Sequence, residues 1–513
     1  MPAKRIIYQV LPRLWNVGST GLCGRFSGFD ETSFDYFHSL GITDIWYTGV
    51  IRHATLLPGY ANASPECVKG VAGSPYAITD YYDANPYLAD NPENRMSEFE
   101  DLIKRTHKAG FRVIIDFVPN HVARQYSGAM TPSGTPKLGE NDEVSVHWKA
   151  ENDFFYYPGE ELRLPLGNGS YREFPAKATG NAYTPAPDAN DWYDTVKLNY
   201  CPFHTPTWDR MKEIVRFWAG KGVDGFRCDM VELVPPEFFT WLIGEIKAEF
   251  PGITFIAEVY EKALYEKYVR EVGFDLLYDK SGMYDTLRDV VTRRSGAAAI
   301  SGVWQSLGDM QPRMLNFLEN HDEQRIASPE FAGSPEAGLA ALGVSLLFNT
   351  APFMLYSGQE TGEKGGPDGR TSIFDIHPLS TLAKPVISSE VEKSPALLSK
   401  YRHLLSLASL KPFSEGGTFD LGYCQPHFFD RDSLFAWLRS DGETLWLCLS
   451  NFSDRKVETD ITILAEAFTY FGFPPQTKTL TVVSAPCDCT VARSHSVYRT
   501  PLEYCKQLFN FDF

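Results

Sequence analysis

Four short segments of the chain place acidic side chains directly after apolar runs: Asp116-Phe117-Val118-Pro119-Asn120-His121, Gly225-Phe226-Arg227-Cys228-Asp229, Ile256-Ala257-Glu258 and Glu319-Asn320-His321-Asp322. A single acid at a strand end is ordinarily a cap or an ion-pair partner, whereas several delivered to one place can do acid–base and nucleophilic chemistry. Two carboxyl groups flanking a glycosidic bond suffice to hydrolyse it, one attacking the anomeric carbon while the other protonates the leaving oxygen. Asp229 and Glu258 divide in that way. Arg227 lies two residues before Asp229, so in extended backbone both side chains leave the same face, and a guanidinium there favours an ionised nucleophile. Glu258 has Ile256, Ala257 and Val259 around it, apolar neighbours that favour the protonated carboxyl a general acid needs.

Those acids need a frame that points strand ends at a common centre. Eight short apolar runs, at 6–11, 44–48, 112–118, 223–227, 254–257, 274–278, 314–318 and 353–356, alternate with helical patterns, and eight parallel strands with external helices close into a TIM barrel, a (β/α)8 fold. Active sites of such barrels form at the C-terminal ends of the strands, where these acids fall. One helix is marked by a capping box, Ser97 with Glu100, by the apolar face Phe99, Leu102 and Ile103, and by Gly110 at its end. The stretch 123–200 is rich in Gly, Pro, Asn and aromatics without helical period, which predicts an inserted subdomain after the third strand. The segment 378–395 shifts to Ser, Lys, Glu and Pro and reads as a solvated connection. Beyond it, runs at 434–438 and 445–449 flank Asp441-Gly442, a hairpin signal that opens a C-terminal antiparallel β-sandwich.

Composition narrows the partners. The 513 residues are 43% hydrophobic and 22% charged, as in a globular protein, and carry a formal charge of −17, which opposes binding to nucleic acid or anionic membranes. Nine scattered cysteines do not form a disulfide framework. The segment 337–355 approaches membrane length but contains Ser345, Asn349 and Pro352, so a buried helix followed by a strand is expected in place of a membrane span. Met1 to Arg5 leads straight into a strand with no signal-peptide pattern, which points to the cytoplasm, or to export with a leader already removed. No protein partner is specified by the sequence.

The four acidic segments, in this order, resemble the signature regions of the α-amylase family of glycoside hydrolases. Ser74 to Tyr82 is similar to that family's second-strand loop, and Pro352 to Glu360 to its eighth strand, so the resemblance runs from about Tyr8 to Glu360. It implies a catalytic barrel over 1–122 and 201–410, an inserted domain B over 123–200 and a C-terminal β domain over 411–513. It implies Asp229 as nucleophile, Glu258 as general acid/base and Asp322 as third carboxylate, with Tyr76, His121, Arg227 and His321 holding the sugar. It further implies calcium, with Asn120 as a ligand and Asp194 as a second oxygen donor, although Ca²⁺ takes about six to eight oxygens and most of that shell is unassigned. No organic cofactor is implied. The expected activity is retaining hydrolysis of α-glucosidic bonds in starch-like glucans or maltooligosaccharides. The alternatives are 4-α-glucanotransfer, which uses the same residues, and a silent carbohydrate-binding barrel. Two departures bear on substrate: Glu232 and Leu233 stand where many family amylases have Lys-His, and Ala77 where many exo-acting members have Asp. Glu232 is expected to sort substrates on the leaving-group side, and Tyr156, Tyr157 and Trp192 are candidates for stacking on outer glucose rings.

Overall fold

The structure is a computed structural model that describes residues 4–17, 23–167, 169–376 and 395–494. Eight parallel strands close into a barrel: β1 (Ile6–Val10), β2 (Asp44–Tyr47), β3 (Arg112–Phe117), β4 (Gly225–Cys228), β5 (Thr254–Ala257), β6 (Leu276–Tyr278), β7 (Met314–Phe317) and β8 (Phe353–Tyr356). Each coincides with one of the eight apolar runs to within two residues at either end, and β4 runs one residue past its expected end. β8 pairs with β1 to complete the ring. The interior is filled by Ile7, Trp46, Ile114, Ile256, Leu315 and Met354 among others, so the barrel is a packed core with its chemistry confined to the rim.

Around it lie α1 (Glu31–Ser39), α2 (Arg95–Lys108), α3 (Pro206–Gly220), α4 (Pro236–Glu249), α5 (Asp285–Val291), α6 (Ala299–Leu307), α7 (Leu339–Leu347) and α8 (Pro395–Ala408). Helix α2 buries Phe99, Leu102 and Ile103 as its pattern requires and ends at Gly110, whose φ of +87° suits glycine. Its start differs from the expected capping box. The helix begins at Arg95 after a turn at Pro92–Asn94, and the Ser97 hydroxyl, already inside the helix, donates to the Asn94 carbonyl at 2.8 Å. Glu98 reaches back instead, accepting from the backbone N–H groups of Asp90 and Asn91 at 2.7 and 2.8 Å.

The chain between β3 and α3 forms short paired strands in place of helix. His121–Ala123 pairs antiparallel with Thr195–Lys197, which returns the segment to the rim it left, and Tyr156–Tyr157 pairs with Ala176–Lys177. After α8 come β9 (Gly417–Asp420), β10 (Leu434–Ser440), β11 (Leu445–Asn451), β12 (Val457–Ile463), β13 (Lys478–Ser484) and β14 (Asp488–Ser494). They make a four-stranded antiparallel sheet, β9-β10-β11-β14, and a two-stranded one, β12-β13, with Leu438, Leu447, Leu449, Ile461 and Val482 between them. The hairpin at Asp441-Gly442 joins β10 to β11, with Gly442 at φ +87°. The expected connection at 378–394 and the C-terminal stretch 495–513 lie outside the described residues.

Segment 337–355 is the buried helix and strand expected of it. All nine residues of α7 are buried, packed between the barrel and β11 and β14. Gly343 allows that approach, because a Cβ there would collide with Cys489 on β14. The last carbonyls beyond α7 are taken by buried cations: Lys4 Nζ donates to Asn349 O at 2.8 Å, and Arg439 of β10 donates to Phe348 O at 3.2 Å. Arg439 also donates to the carbonyls of Pro412 and Gly416, at 3.1 and 2.8 Å. Among the described residues no helix is long and apolar enough to cross a membrane.

Candidate active site

Strand register sets the centre of the rim. Arg227 on β4 lies opposite Asp116 on β3 and Ile256 on β5, and the alternation of strand side chains then brings Asp229 to Arg227's side. The Arg227 guanidinium is fully buried inside a cage of three rings, 5.6 Å from the centre of Trp46, 5.3 Å from Tyr76 and 5.5 Å from Tyr278. Its Nη1 is 2.7 Å from Asp229 Oδ1 and 3.8 Å from Asp116 Oδ1, and its Nη2 is 2.7 Å from Glu258 Oε1. One guanidinium thus bridges the two candidate reacting carboxylates.

Glu258 is met by donors on both oxygens, not by the apolar side chains that flank it in sequence. Oε1 accepts from the Tyr260 hydroxyl at 2.9 Å, and Oε2 from the Met230 backbone N–H at 2.8 Å. Met230 directs that N–H inward by adopting left-handed backbone, φ +46° and ψ +47°, a strained conformation for a residue with a side chain. The expectation that Arg227 alone would keep Asp229 readily ionised is corrected: burial pushes the Asp229 carboxyl well above the usual range, Arg227 opposes this, and the charge of Glu258 adds to it. Burial likewise raises Asp116 to about 6 against the pull of Arg227. Asp116 Oδ2 accepts from Trp46 Nε1 at 3.2 Å and from the Gly49 N–H at 3.4 Å.

A second group surrounds His321. Gln9 Nε2 donates to its Nδ1 at 2.8 Å and to Thr48 Oγ1 at 3.1 Å, which leaves the imidazole proton on Nε2. Nε2 stands 2.5 Å from the Tyr76 hydroxyl and 3.0 Å from Asp322 Oδ2, and the Tyr76 ring lies nearly parallel to the imidazole with centres 5.3 Å apart. Burial, with Arg227 adding, lowers His321 to about 3, so it works as a neutral hydrogen-bonding group. Asp322 faces the opening, its side chain 39% exposed, with its backbone carbonyl held by Arg370 Nε at 2.7 Å. Glu319, the first acid of the same segment, is instead buried against Arg325 Nη1 at 2.8 Å and accepts from the Ile326 N–H at 2.7 Å, a structural pairing.

Tyr76, His121, Asp229, Glu258, His321 and Asp322 line one cavity of about 260 Å³, together with Lys69, Trp192, Asp194, Tyr260 and Phe374. His121 packs against the Trp192 ring at 5.1 Å, and burial, followed by the charges of Lys197 and Lys69, lowers it to about 3. The structure therefore gathers the three candidate acids and three of the four candidate sugar-holding residues around one opening, while Arg227 lies fully buried behind Asp229 and Glu258 and does not line the cavity. Tyr156 is used elsewhere, buried with its hydroxyl donating to Asp142 at 3.0 Å, while Trp192 reaches the cavity. Glu232 is not among the residues lining the cavity: its carboxylate accepts from the Tyr260 and Glu261 N–H groups at 3.1 and 2.9 Å and so fixes the loop that carries Tyr260.

The proposed calcium donors do not fit a calcium shell. The Asn120 side-chain oxygen accepts from the ammonium of Lys197, its amide nitrogen donates to Gly180 O at 3.0 Å, and Lys197 also donates to Leu233 O at 3.0 Å. Asp194 is paired with a different ammonium, Lys69, at 3.5 Å. The oxygens that were to coordinate an ion are thus already turned toward lysines. Among the described residues no group of three or more His, Cys, Asp or Glu is placed to hold a metal. Gln9, Lys69, Lys197 and Tyr260 were not singled out from the sequence. Only Gln9 left a signal there, as a polar residue inside an otherwise apolar strand run.

Residues 9–268 match a family described as alpha amylase, catalytic domain. The chain is similar to a cyclomaltodextrin glucanotransferase of Bacillus licheniformis, 24% identical over 367 residues that cover 69% of this chain and 46% of that protein. It is also similar to alpha-amylase 3 of Dictyoglomus thermophilum, 25% identical over 71% of this chain and 65% of that one. The match thus spans about half of the first relative and just under two thirds of the second. Among solved structures, a maltogenic alpha-amylase from Thermotoga neapolitana has a TM-score of 0.62 at 20% identity, covering 96% of each chain, a likeness of fold.

Proposed function

The chain belongs to the alpha-amylase family, and from that premise we propose that it is a retaining glycoside hydrolase acting on α-glucosidic bonds in starch-like glucans or maltooligosaccharides. The observation that carries the reading is the Arg227 guanidinium bridging Asp229 and Glu258, each at 2.7 Å. Two carboxylate oxygens held by neighbouring nitrogens of one guanidinium favour the spacing of about 5 Å used in double displacement over the ~6.5–9.5 Å that leaves room for an inverting water.

In the first step an Asp229 oxygen attacks the anomeric carbon, the bond to the leaving oxygen breaks, and the Glu258 proton goes to that oxygen. In the second step Glu258, now a carboxylate, takes a proton from water as the water attacks the same carbon and the ester to Asp229 breaks. The arrangement supports this division because the Arg227 guanidinium, 2.7 Å from Asp229, favours the ionised form of that carboxyl against burial, as a nucleophile needs. Asp322, His321 and Tyr76 line the place where the reacting ring sits, with neutral His321 offering its Nε2 proton to a hydroxyl. His121 contributes from the side of the insert.

Transfer to a sugar hydroxyl instead of water is the second reading. The Tyr260 ring beside Glu258 favours it, since an aromatic face on the leaving side can hold an acceptor sugar. A silent binding barrel is disfavoured by the presence of all three acids. Time-resolved product analysis on maltoheptaose, soluble starch and pullulan tests the proposal, with Asp229→Asn as the blank. Shorter oligosaccharides released first as the α-anomer are expected, with the variant slower by at least about 10³-fold. Products longer than the heptaose identify transfer. A β-anomer released first overturns retention, and wild-type activity indistinguishable from the variant overturns the assignment.

A further inference from the structure

We propose that the cavity is blind on its glycone side, so that the enzyme works inward from the non-reducing end of a glucan, and that Lys69 reads the terminal unit. The inference rests on the hydrolase reading above.

It follows from a continuous wall over one half of the rim. After β8, the carbonyl of Phe374 accepts from the Ala72 N–H at 2.8 Å, which joins the β8 loop to the loop following β2. Gly70 sits against that same carbonyl, at a φ of +65°, with no room for a Cβ. Arg13, just beyond β1, donates to Ser372 O at 3.0 Å and Asp375 O at 2.5 Å, fixing the base of the junction. The next residue along the wall, Lys69, donates to Asp191 O at 3.1 Å and lies 3.5 Å from Asp194, joining the β2 loop to the inserted segment. The inserted segment in turn touches the chain just after β3 through Trp192 on His121. The contacts therefore run unbroken over strands β8, β1, β2 and β3, which are consecutive in the closed ring.

The reacting acids stand on the other arc, Asp229 after β4, Glu258 after β5 and Asp322 after β7. Because Glu258 protonates the leaving oxygen, the leaving chain departs over that arc, and the ring that becomes attached to Asp229 lies between the acids and the wall. A glucan continuing past that ring would have to cross the wall. The cavity of about 260 Å³ falls just below the ~300–1,000 Å³ usual for ligand pockets, which fits a short glycone and not a long one. At the closed end, the Lys69 ammonium and the Asp194 carboxylate offer a donor and an acceptor side by side. A terminal unit carries a free 4-hydroxyl that can both give and accept a hydrogen bond, whereas an internal unit has an ether oxygen there.

The test uses the full chain on three substrates of equal unit count: maltoheptaose, maltoheptaose blocked at its non-reducing end with an ethylidene group, and cyclomaltoheptaose, which has no end. The expected result is shortening of the free heptaose, with the blocked and cyclic forms at least about 100-fold slower. Cleavage of either of those within tenfold of the free heptaose overturns the inference while leaving the hydrolase reading intact. No cleavage of any of the three, with Asp229→Asn indistinguishable from wild type, overturns both. Lys69→Met supplies a readout that a merely structural wall would not move. Wild type is expected to show a KM about tenfold or more higher for maltotriose lacking the 4-hydroxyl of its non-reducing unit than for maltotriose, the size of a hydrogen bond to a charged group, and Lys69→Met is expected to erase that difference. The same difference persisting in Lys69→Met removes Lys69 from the role.

Discussion

Arg227 and Lys197 are both buried cations at the catalytic rim, and their surroundings are opposite in kind. Arg227 faces Asp116, Asp229 and Glu258, three acids against one positive charge, inside a cage of aromatic faces. Lys197 faces neutral acceptors, the Asn120 side chain and the Leu233 carbonyl, with the Tyr183 ring 5.9 Å away. The first arrangement leaves uncompensated negative charge, and burial then raises the acids: Asp116 moves to about 6 and Asp229 well above the usual range. The second leaves the strain on the cation itself, lowered to about 8 by burial. A charge imbalance carried by acids can be used to move protons and to stabilise a developing sugar cation. One carried by a lysine among carbonyls can only hold two pieces of chain together. The barrel centre and its junction with the inserted segment thus use the same device, a desolvated cation, for chemistry and for attachment.

The comparison is broken most severely at its first member. Arg227→Gln leaves three acids facing each other in a dry site, and the expected result is a loss of about 10²–10³-fold in kcat together with about 3–5 kcal/mol of stability. Steady-state kinetics and urea melts measure the two, and an unchanged urea midpoint contradicts the idea that the guanidinium holds the acids in place. At the junction, Lys197→Met strips the cation from Asn120 Oδ1 and Leu233 O, with an expected cost of about 1–3 kcal/mol for buried acceptors left unpaired. Thermal melts of wild type with EDTA and with added calcium complete that test. Neither treatment is expected to move the midpoint, and a fall with EDTA would reinstate an ion where Lys197 now stands.

The smallest effect concerns pH. Asp116 is 7% exposed at its side chain and titrates near 6 when folded, above its value of about 3.9 in the unfolded chain. The folded state therefore binds more protons than the unfolded state between roughly pH 4 and 6, and stability falls as pH rises through that window, by on the order of 3 kcal/mol from this group. Asp116→Asn should flatten that part of the profile in chemical melts recorded from pH 4 to 7. A slope as steep in the variant as in wild type would assign the titration to another acid.

What the sequence made legible follows from the range of each interaction. The eight strands could be read because each is a short apolar run bounded by polar turns, and the candidate acids because they directly follow those runs. Helix α2 could be found by its apolar face but not started correctly: a capping box at Ser97 and a turn at Pro92 compete within one helical turn, and the turn prevailed. Partnerships between distant positions left no local pattern. Lys197 lies 77 positions from Asn120, and Gln9 lies 312 from His321. Asn120 and Asp194 were expected as ion ligands from the family resemblance, which says nothing about which lysine this fold would turn toward each. The two acceptor bonds of Glu232 were hidden for the same reason, since they go to N–H groups 28 and 29 residues away.

Helix α7 sets a schedule for the birth of the molecule. Every one of its residues is buried, yet much of what covers it, including β14 with Cys489 against Gly343, lies about 150 residues further along the chain. At a synthesis rate of about 5–20 residues per second, an apolar helix on the barrel waits roughly 7 to 30 s on the ribosome for its cover. Throughout that interval the nascent barrel presents a greasy stripe to every other chain in its neighbourhood, and the arrival of the C-terminal sheet is what ends its exposure.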